Sequence, residues 1–445
     1  MSWRKLLMRR NHYFLFLGLL SIAIIALKYI FQPCGLDDLH QEANNLRNRY
    51  CKTQFFTSMK LSSRDQTNCS KIIKGDQQAV QWALLLQKNA SNKELRVNEM
   101  DYLNFTKDCE HYKTSRKFIP FPLSKEEENF PIAYSMAIHE QIEMFERLLR
   151  AIYNPQNIYC VHVDEKSPEI YKKAVRAIVS CFKNVFIASK LEKLVYTSWF
   201  RAQADLNCME DLLKSAVPWR YLINTCGTDF PIKTNAEIVR ALKVLNGKNS
   251  LESEKPGGKE VRWKFAYKTS SASIEKTDIT KGPPPISSPL FVGSAYFLVT
   301  REFVKYVLEN PEVQKLIEWS KDTHMPEEHL WATLNRMPGV PGSSPYHEKY
   351  DLSDSNAIAR LQKWAGNDGN ISKGAAYPQC TGIVRRSVCI NGAGDLHWML
   401  QQHHLFVNKF DVRVDDYVVE CLEEYLRDKA LYGEEPRAFP HGLQL

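Results

Sequence analysis

Between Phe130 and Leu245, apolar runs of strand length alternate with segments of helix length. Phe130-Pro-Ile-Ala-Tyr-Ser-Met-Ala-Ile138 reads as a buried strand, and Gln141 to Tyr153 follows with apolar residues at helical spacing. Ile158-Tyr-Cys-Val-His-Val163, Val185-Phe-Ile-Ala188 and Tyr221-Leu-Ile-Asn-Thr225 repeat the strand pattern. Ser167 to Phe182, Ser198 to Lys214 and a segment through Ile238 and Leu245 repeat the helical one. This alternation implies βαβ crossovers and a mostly parallel sheet flanked by helices. Such sheets bind ligands beyond the carboxyl ends of their strands, which points to Asp164-Glu165 and to Gly227-Thr228-Asp229.

The amino terminus sets the compartment. Arg4, Lys5, Arg9 and Arg10 precede an almost unbroken apolar run from Tyr13 to Phe31. A run of roughly 20 apolar residues spans a bilayer, and basic residues before it keep the amino terminus in the cytosol. A cleaved signal peptide is the rival reading, but the run is long for one and no small-x-small site precedes Lys28-Tyr29. The expected layout is a cytoplasmic tail (1–12), a signal-anchor (13–31), a polar lumenal stem (32–115), a catalytic domain (116–432) and a tail (433–445). Eleven cysteines without a Cys-x-x-Cys pair fit disulfides in an oxidising lumen. The sequons at Asn68, Asn89, Asn104 and Asn370 agree with a type II secretory-pathway protein.

Several chemistries lack their residues. The net charge of +8 is mild and its basic residues are scattered, so a nucleic-acid partner is not expected. There is no phosphate-binding Gly-x-x-x-x-Gly-Lys-Ser/Thr loop and no Gly-x-Ser-x-Gly elbow. His324, Glu327, Glu328 and His329 match no zinc-binding spacing, and no metal is expected there. His403-His404 reads as packing or surface. No Asp-x-Asp triplet occurs either. A transferase acting on a nucleotide sugar would then need side-chain cations to neutralise the leaving diphosphate.

Six segments carry a more specific signal: Phe130-Pro-Ile-Ala-Tyr-Ser, Val161-His-Val-Asp-Glu-Lys166, Gln203-Ala-Asp-Leu-Asn-Cys-Met209, Asn224-Thr-Cys-Gly-Thr-Asp-Phe-Pro-Ile232, Glu328-His-Leu-Trp-Ala-Thr333, and Gly392-Ala-Gly-Asp-Leu396 with Trp398-Met-Leu400. With these the chain resembles the core 2 β-1,6-N-acetylglucosaminyltransferases (glycosyltransferase family 14), most nearly their mucin-type core 2 and core 4 branch, from about Cys69 to Tyr432. The resemblance implies a GT-A-like, Rossmann-type domain behind the anchor and stem, in the Golgi membrane. It also implies inverting, metal-independent transfer from UDP-GlcNAc to mucin-type O-glycans on glycoproteins, with no cofactor.

By the same resemblance Glu328 is the catalytic base, with Glu327 beside it as the alternative; on its own the pair would read as an acidic first helical turn. Arg386 and Lys409 fall where the family binds the diphosphate, and Asp164 where it meets the uracil or ribose, although Asp164 could equally cap the helix beginning near Ser167. Glu252, Lys259 and Arg262 match acceptor-sugar residues, and Trp364 would stack on a sugar face. Ala365-Gly366 is small where a relative carries an aromatic contact, which implies room for a second acceptor. The implied disulfides are Cys69–Cys421, Cys109–Cys181, Cys160–Cys208 and Cys380–Cys389, with Cys226 a free buried thiol. Cys34 and Cys51 lie outside that set and could link two anchored chains into a homodimer through the stem. Branching restricted to core 2, branching of poly-N-acetyllactosamine, and a membrane-tethered lectin are the alternatives.

Overall fold

The computed structural model describes residues 20–21, 46–61, 68–89, 97–345 and 357–433. The tail expected at 1–12, the anchor at 13–31 apart from Leu20 and Ser21, Cys34, and the terminal tail beyond Gly433 lie outside these residues. Among the described residues no helix is long and apolar enough to cross a membrane. The chain divides into two units, 1–60 and 61–445. In the first, the helix Leu46–Met59 carries Cys51, which is held in a disulfide.

Among its described residues the second unit contains fourteen short strands, named in chain order: β1 (Ile132–Ile138), β2 (Ile158–Val163), β3 (Val185–Ile187), β4 (Tyr221–Cys226), β5 (Asp229–Pro231), β6 (Phe265–Thr269), β7 (Ile274–Thr280), β8 (Leu298–Thr300), β9 (Arg360–Gln362), β10 (Asp368–Gly369), β11 (Tyr377–Pro378), β12 (Ile383–Arg385), β13 (Val388–Ile390) and β14 (Phe406–Asn408). The main sheet has the order β3-β2-β1-β4-β8; its first four strands are parallel and β8 is antiparallel. The crossover helices are Ile142–Ile152, Glu169–Ser180 and Phe200–Leu213.

β1 is buried along its whole length, and its side chains divide by parity between two cores. Tyr134, Met136 and Ile138 face one core with Tyr159, Val161 and Ile223, under Phe145 and Leu148 of the first crossover helix. Ala133 faces the other with Cys160 and Leu222, under Leu206 and Met209. A polar knot sits on this second face. Asp205 accepts from Ser135 Oγ at 2.8 Å, Asn224 Nδ2 at 3.1 Å and Arg201 Nη1 at 2.6 Å, joining β1, β4 and the helix Phe200–Leu213.

The stem boundary expected at 115 is not where the compact unit begins. The helices Cys69–Ile73, Gln77–Asn89, Glu99–Phe105 and Cys109–Ser115 belong to it, and Ile72, Val80, Ala83, Tyr102 and Tyr112 enter the first core. Two disulfides clamp them there, Cys69 to Cys421 and Cys109 to Cys181, each with a Cα separation of 5.0 Å. Cys160 joins Cys208 and Cys380 joins Cys389, while Cys226 is a free thiol. Asn68, Asn104 and Asn370 are exposed, and the side chains of Asn68 and Asn370 cap the turns that follow them. Asn89 closes the helix Gln77–Asn89.

Asp205→Ala would leave the Arg201 guanidinium without its buried carboxylate, while Asn224 Nδ2 keeps the Ala295 carbonyl at 2.8 Å. Losing one partner of a buried ion pair costs about 3–5 kcal/mol. Denaturant unfolding should therefore show a loss of that order, and a loss under about 1 kcal/mol would mean that the knot contributes little.

Candidate active site

The carboxyl ends of β1, β2 and β4 converge on one edge of the main sheet. Asp164 follows β2 there and is buried. Its Oδ1 accepts from the backbone N–H of Lys166 at 2.9 Å and of Leu194 at 3.2 Å. It does not cap the next helix, which starts at Glu169 with no side-chain cap. Asp164 instead ties the strand end to the segment 188–199, as does His162, whose Nε2 accepts from the Glu192 N–H at 2.8 Å. Burial, with Arg201 nearby, pushes His162 down to about 4, so it stays neutral and can accept.

Two positive-φ residues fix the next step of the wall. Thr197 (φ 65°) accepts from the N–H of Met325 (φ 52°) at 2.8 Å, just before the helix Glu327–Leu334. Glu328 stands in that helix's first turn, with Oε2 2.8 Å from Arg262 Nη1. Burial raises its pKa above the ordinary value even though Arg262 and Lys259 pull it down. Gly293 closes the same corner: its N–H donates to the Glu328 carbonyl at 2.7 Å, and a Cβ there would lie 1.9 Å from the Glu252 carbonyl oxygen. Any side chain at 293 would push Glu252 and Glu328 apart. Arg262 and Lys259 thus flank Glu328, and the Glu252 backbone packs on Gly293 at the same corner, with Tyr377 near Glu252.

Glu327 points the other way. It is buried beside Arg201 and Asp205, its Oε2 has no hydrogen-bond partner, and burial pushes its pKa up to about 7, with the Glu328 charge adding to the rise. Of the two neighbouring carboxylates, only Glu328 is partly open to solvent.

A second small sheet, β5-β14-β9, carries the cations. β14 leads into Lys409, and β9 leads into Lys363 and Trp364. The hairpin β12–β13 lies between these extensions: Cys389 N–H donates to the Lys363 carbonyl at 2.9 Å, and Lys409 N–H to the Cys389 carbonyl at 3.3 Å. Arg386 and Ser387 form the two-residue turn of that hairpin at φ 52° and 61°, a geometry that matches the twist of paired strands. Trp364 pairs with Val388, and Ala365 N–H donates to the Ser387 carbonyl at 2.8 Å, so Trp364 lies beside the turn, 43% exposed. Burial, with Arg386 and Arg385 nearby, lowers the Lys409 pKa. Arg385 is engaged by Asp411 at 3.0 Å, whereas Arg386 lies over the Tyr196 ring, 4.4 Å from its centroid.

Tyr196 was not among the residues the sequence singled out. It adjoins Thr197, so it links Arg386 to the turn that carries Glu328. Its only local signal is an exposed ring in a loop, which sequence chemistry does not separate from ordinary surface. His324 and His329 each pack against aromatic rings. His329 is buried, accepts from or donates to Thr323 Oγ1 at 2.9 Å and packs on Trp263, while His324 stacks on Tyr267. Among the described residues the one group with metal-ligand spacing is Cys380, Cys389 and Asp395, and its two thiols are already joined in a disulfide.

A sequence model described as Core-2/I-Branching enzyme matches residues 132–400. Over 436 residues the chain is 58% identical to the beta-1,3-galactosyl-O-glycosyl-glycoprotein beta-1,6-N-acetylglucosaminyltransferase 3 of Bos taurus, covering 98% of this chain and 99% of that protein. The Homo sapiens protein of the same name is 56% identical over 437 residues, again with 98% and 99% coverage. A Bovine herpesvirus 4 (strain DN-599) protein, named identically but without the numeral, is 56% identical over 436 residues at the same coverage.

Folded Glu327 keeps a proton that the unfolded chain releases near 4.5. Its contribution to stability is therefore present below pH 4.5 and is lost as the pH rises through about 7. The loss amounts to about 3 kcal/mol. Denaturation series across this range should show Glu327→Gln flatter than the parent by that order. Equal slopes for the two proteins would show that folding does not raise the Glu327 pKa.

Proposed function

The chain belongs to the Core-2/I-branching enzyme family, and from that premise we propose that it transfers GlcNAc, with inversion, from UDP-GlcNAc to the 6-hydroxyl of a mucin-type O-linked GalNAc already bearing a 3-linked galactose. The observation that carries this reading is the partly open Glu328 carboxylate, held by Arg262 and joined through Met325, Thr197 and Tyr196 to the cations Arg386 and Lys409. Glu328 takes the proton from the acceptor hydroxyl as its oxygen attacks the anomeric carbon from the face opposite the diphosphate. The bond from that carbon to the β-phosphate oxygen breaks, and the released charge meets Arg386 and Lys409. Arg386 offers a planar fork and Lys409 a point charge, so no divalent ion is needed in this scheme. Asp164, with Oδ1 engaged by backbone, turns its other oxygen to the nucleoside.

The parallel-rich sheet is read as a GT-A-like domain, with the chain a single-pass type II protein whose catalytic unit faces the Golgi lumen. A disulfide-linked homodimer through the stem would need a thiol other than the bonded Cys51. Glu252, Lys259 and Arg262 hold the GalNAc, and Trp364 covers the face of a sugar. A Cβ at Gly366 would meet nothing within 4 Å, so space remains beside Trp364 for the acetamide of a 3-linked GlcNAc. That room supports core 4 as well as core 2 branching.

Transfer to core 1 and core 3 acceptors should persist in excess EDTA, with a 1→6-linked GlcNAc on the product GalNAc. Arg386→Ala should weaken UDP binding by roughly tenfold or more, the size of a hydrogen bond to a charged group, and acceptor binding much less. Gly366→Tyr should lower core 4 product more than core 2; because φ is +91° there, the acceptor ratio rather than total activity is the readout. EDTA inactivation rescued by manganese, or product only on poly-N-acetyllactosamine, would contradict the reading.

A further inference from the structure

The helices Ile142–Ile152 and Asp416–Tyr432 meet in a buried ion network, none of whose residues belongs to the candidate active site. Three arginines there meet three carboxylates. Arg116 reaches Glu146 at 2.7 Å, Arg147 reaches Glu423 at 2.6 Å and Glu143 at 3.2 Å, and Arg150 reaches Glu423 at 2.6 Å and Glu146 at 3.1 Å. Arg427, one turn beyond Glu423, is a fourth cation, and the Glu423 carboxylate near it is already paired with Arg147 and Arg150. It is 6% exposed, its Nη1 has no hydrogen-bond partner, and among the described residues it makes no ion pair. Burial, with Arg150 close by, pushes its pKa down to about 10.

Arg427 lines a cavity together with Arg150 and Lys233. Among the described residues the Lys233 ammonium has one hydrogen bond, to the Leu400 carbonyl at 3.4 Å, and burial lowers its pKa against the opposing pull of Glu237. Of the two carboxylates on the wall, Glu423 is paired with the arginines, whereas Glu127 is hydrogen-bonded by neutral donors, Asn235 Nδ2 at 2.7 Å and Ser124 Oγ at 2.9 Å, and burial raises its pKa, which makes it a weak counter-charge. The free space is about 50 Å³. One water needs about 10–15 Å³ on the same measure, so the cavity accepts a small polyatomic ion and excludes a nucleotide or a sugar chain. A buried cation without a counter-charge is costly, and a buried guanidinium fork matches the geometry of an oxyanion.

We propose that this cavity is a binding site for a small oxyanion, inorganic phosphate or a carboxylate, held by the free edge of Arg427 with Lys233 beside it. The anion completes the charge balance where the carboxyl-terminal helix seats on the first crossover helix, and its occupancy stabilises that seat.

The test is thermal unfolding of the full-length protein in detergent, titrated with sodium phosphate or sodium acetate against sodium chloride at equal ionic strength. Saturating UDP is kept present, so that Arg386 and Lys409 do not report. The expected result is a saturable rise in Tm of roughly 3–5 °C at a hundredfold excess over Kd. The anion with the lower half-saturating concentration identifies the source. Arg427→Met should abolish the rise, and Lys233→Met should weaken the affinity about tenfold or more. If Arg427→Met does not fold, Lys233→Met decides: weaker affinity supports the site, and unchanged affinity overturns it. Shifts no larger than those of chloride, or a full shift in Arg427→Met, would also overturn it.

Discussion

A strand buried on both faces between two parallel neighbours can offer polar chemistry only at its ends, and β1 is such a strand. Its backbone is paired on both edges and its side chains fill two cores. Polar groups that approach it are held by hydrogen bonds across the sheet or lie beyond the carboxyl edge, the buried Tyr134 hydroxyl being an exception. The knot around Asp205 is the first case. The second is the site itself, where Asp164, the Thr197–Met325 contact and the Glu327–Leu334 helix collect at the edge. The second sheet then brings Lys409, Arg386 and Trp364 towards them.

Electrostatics divide this site into two halves. On one side, burial raises the Glu328 pKa more than Arg262 and Lys259 lower it, so desolvation wins despite an ion pair at 2.8 Å. A carboxylate held in that way is a stronger base than a free one. On the other side, burial, with Arg386 and Arg385 nearby, destabilises the Lys409 charge, a strain that an anionic ligand would relieve. Arg386 is meanwhile held against the Tyr196 ring, an attraction of about 0.5–2 kcal/mol that leaves it available to a doubly charged ligand.

Local pattern carried the main sheet well. β2 begins and ends where the sequence reading put it, at Ile158 and Val163, because Asn157 and Asp164 bound a run that is apolar except for His162. β1 starts two residues later than expected, since Pro131 cannot donate to the ladder. Residues 69–115 were read as stem for a physical reason. Their helices are short and expose long polar faces, and the partners that bury Tyr102, Tyr112 and Cys69 lie far along the chain, at Glu146, Phe182 and Cys421. Periodicity does not register such distant contacts. Tyr196 escaped notice for the same reason, because its role is set by a hairpin much later in sequence. Glu327 and Glu328 are equivalent as letters in a first turn, and only three-dimensional packing sends one into the Arg201–Asp205 knot and the other to Arg262.

The account turns on Glu328 acting as the base while contributing little to donor affinity. The most direct measurement is the single-turnover rate of Glu328→Gln beside calorimetric binding of UDP to the same protein. The predicted result is a rate lower by about a hundredfold or more with UDP affinity within about twofold, inside ordinary surface-substitution effects. A variant that keeps half its rate, or one whose UDP affinity falls in step with its rate, would contradict the assignment.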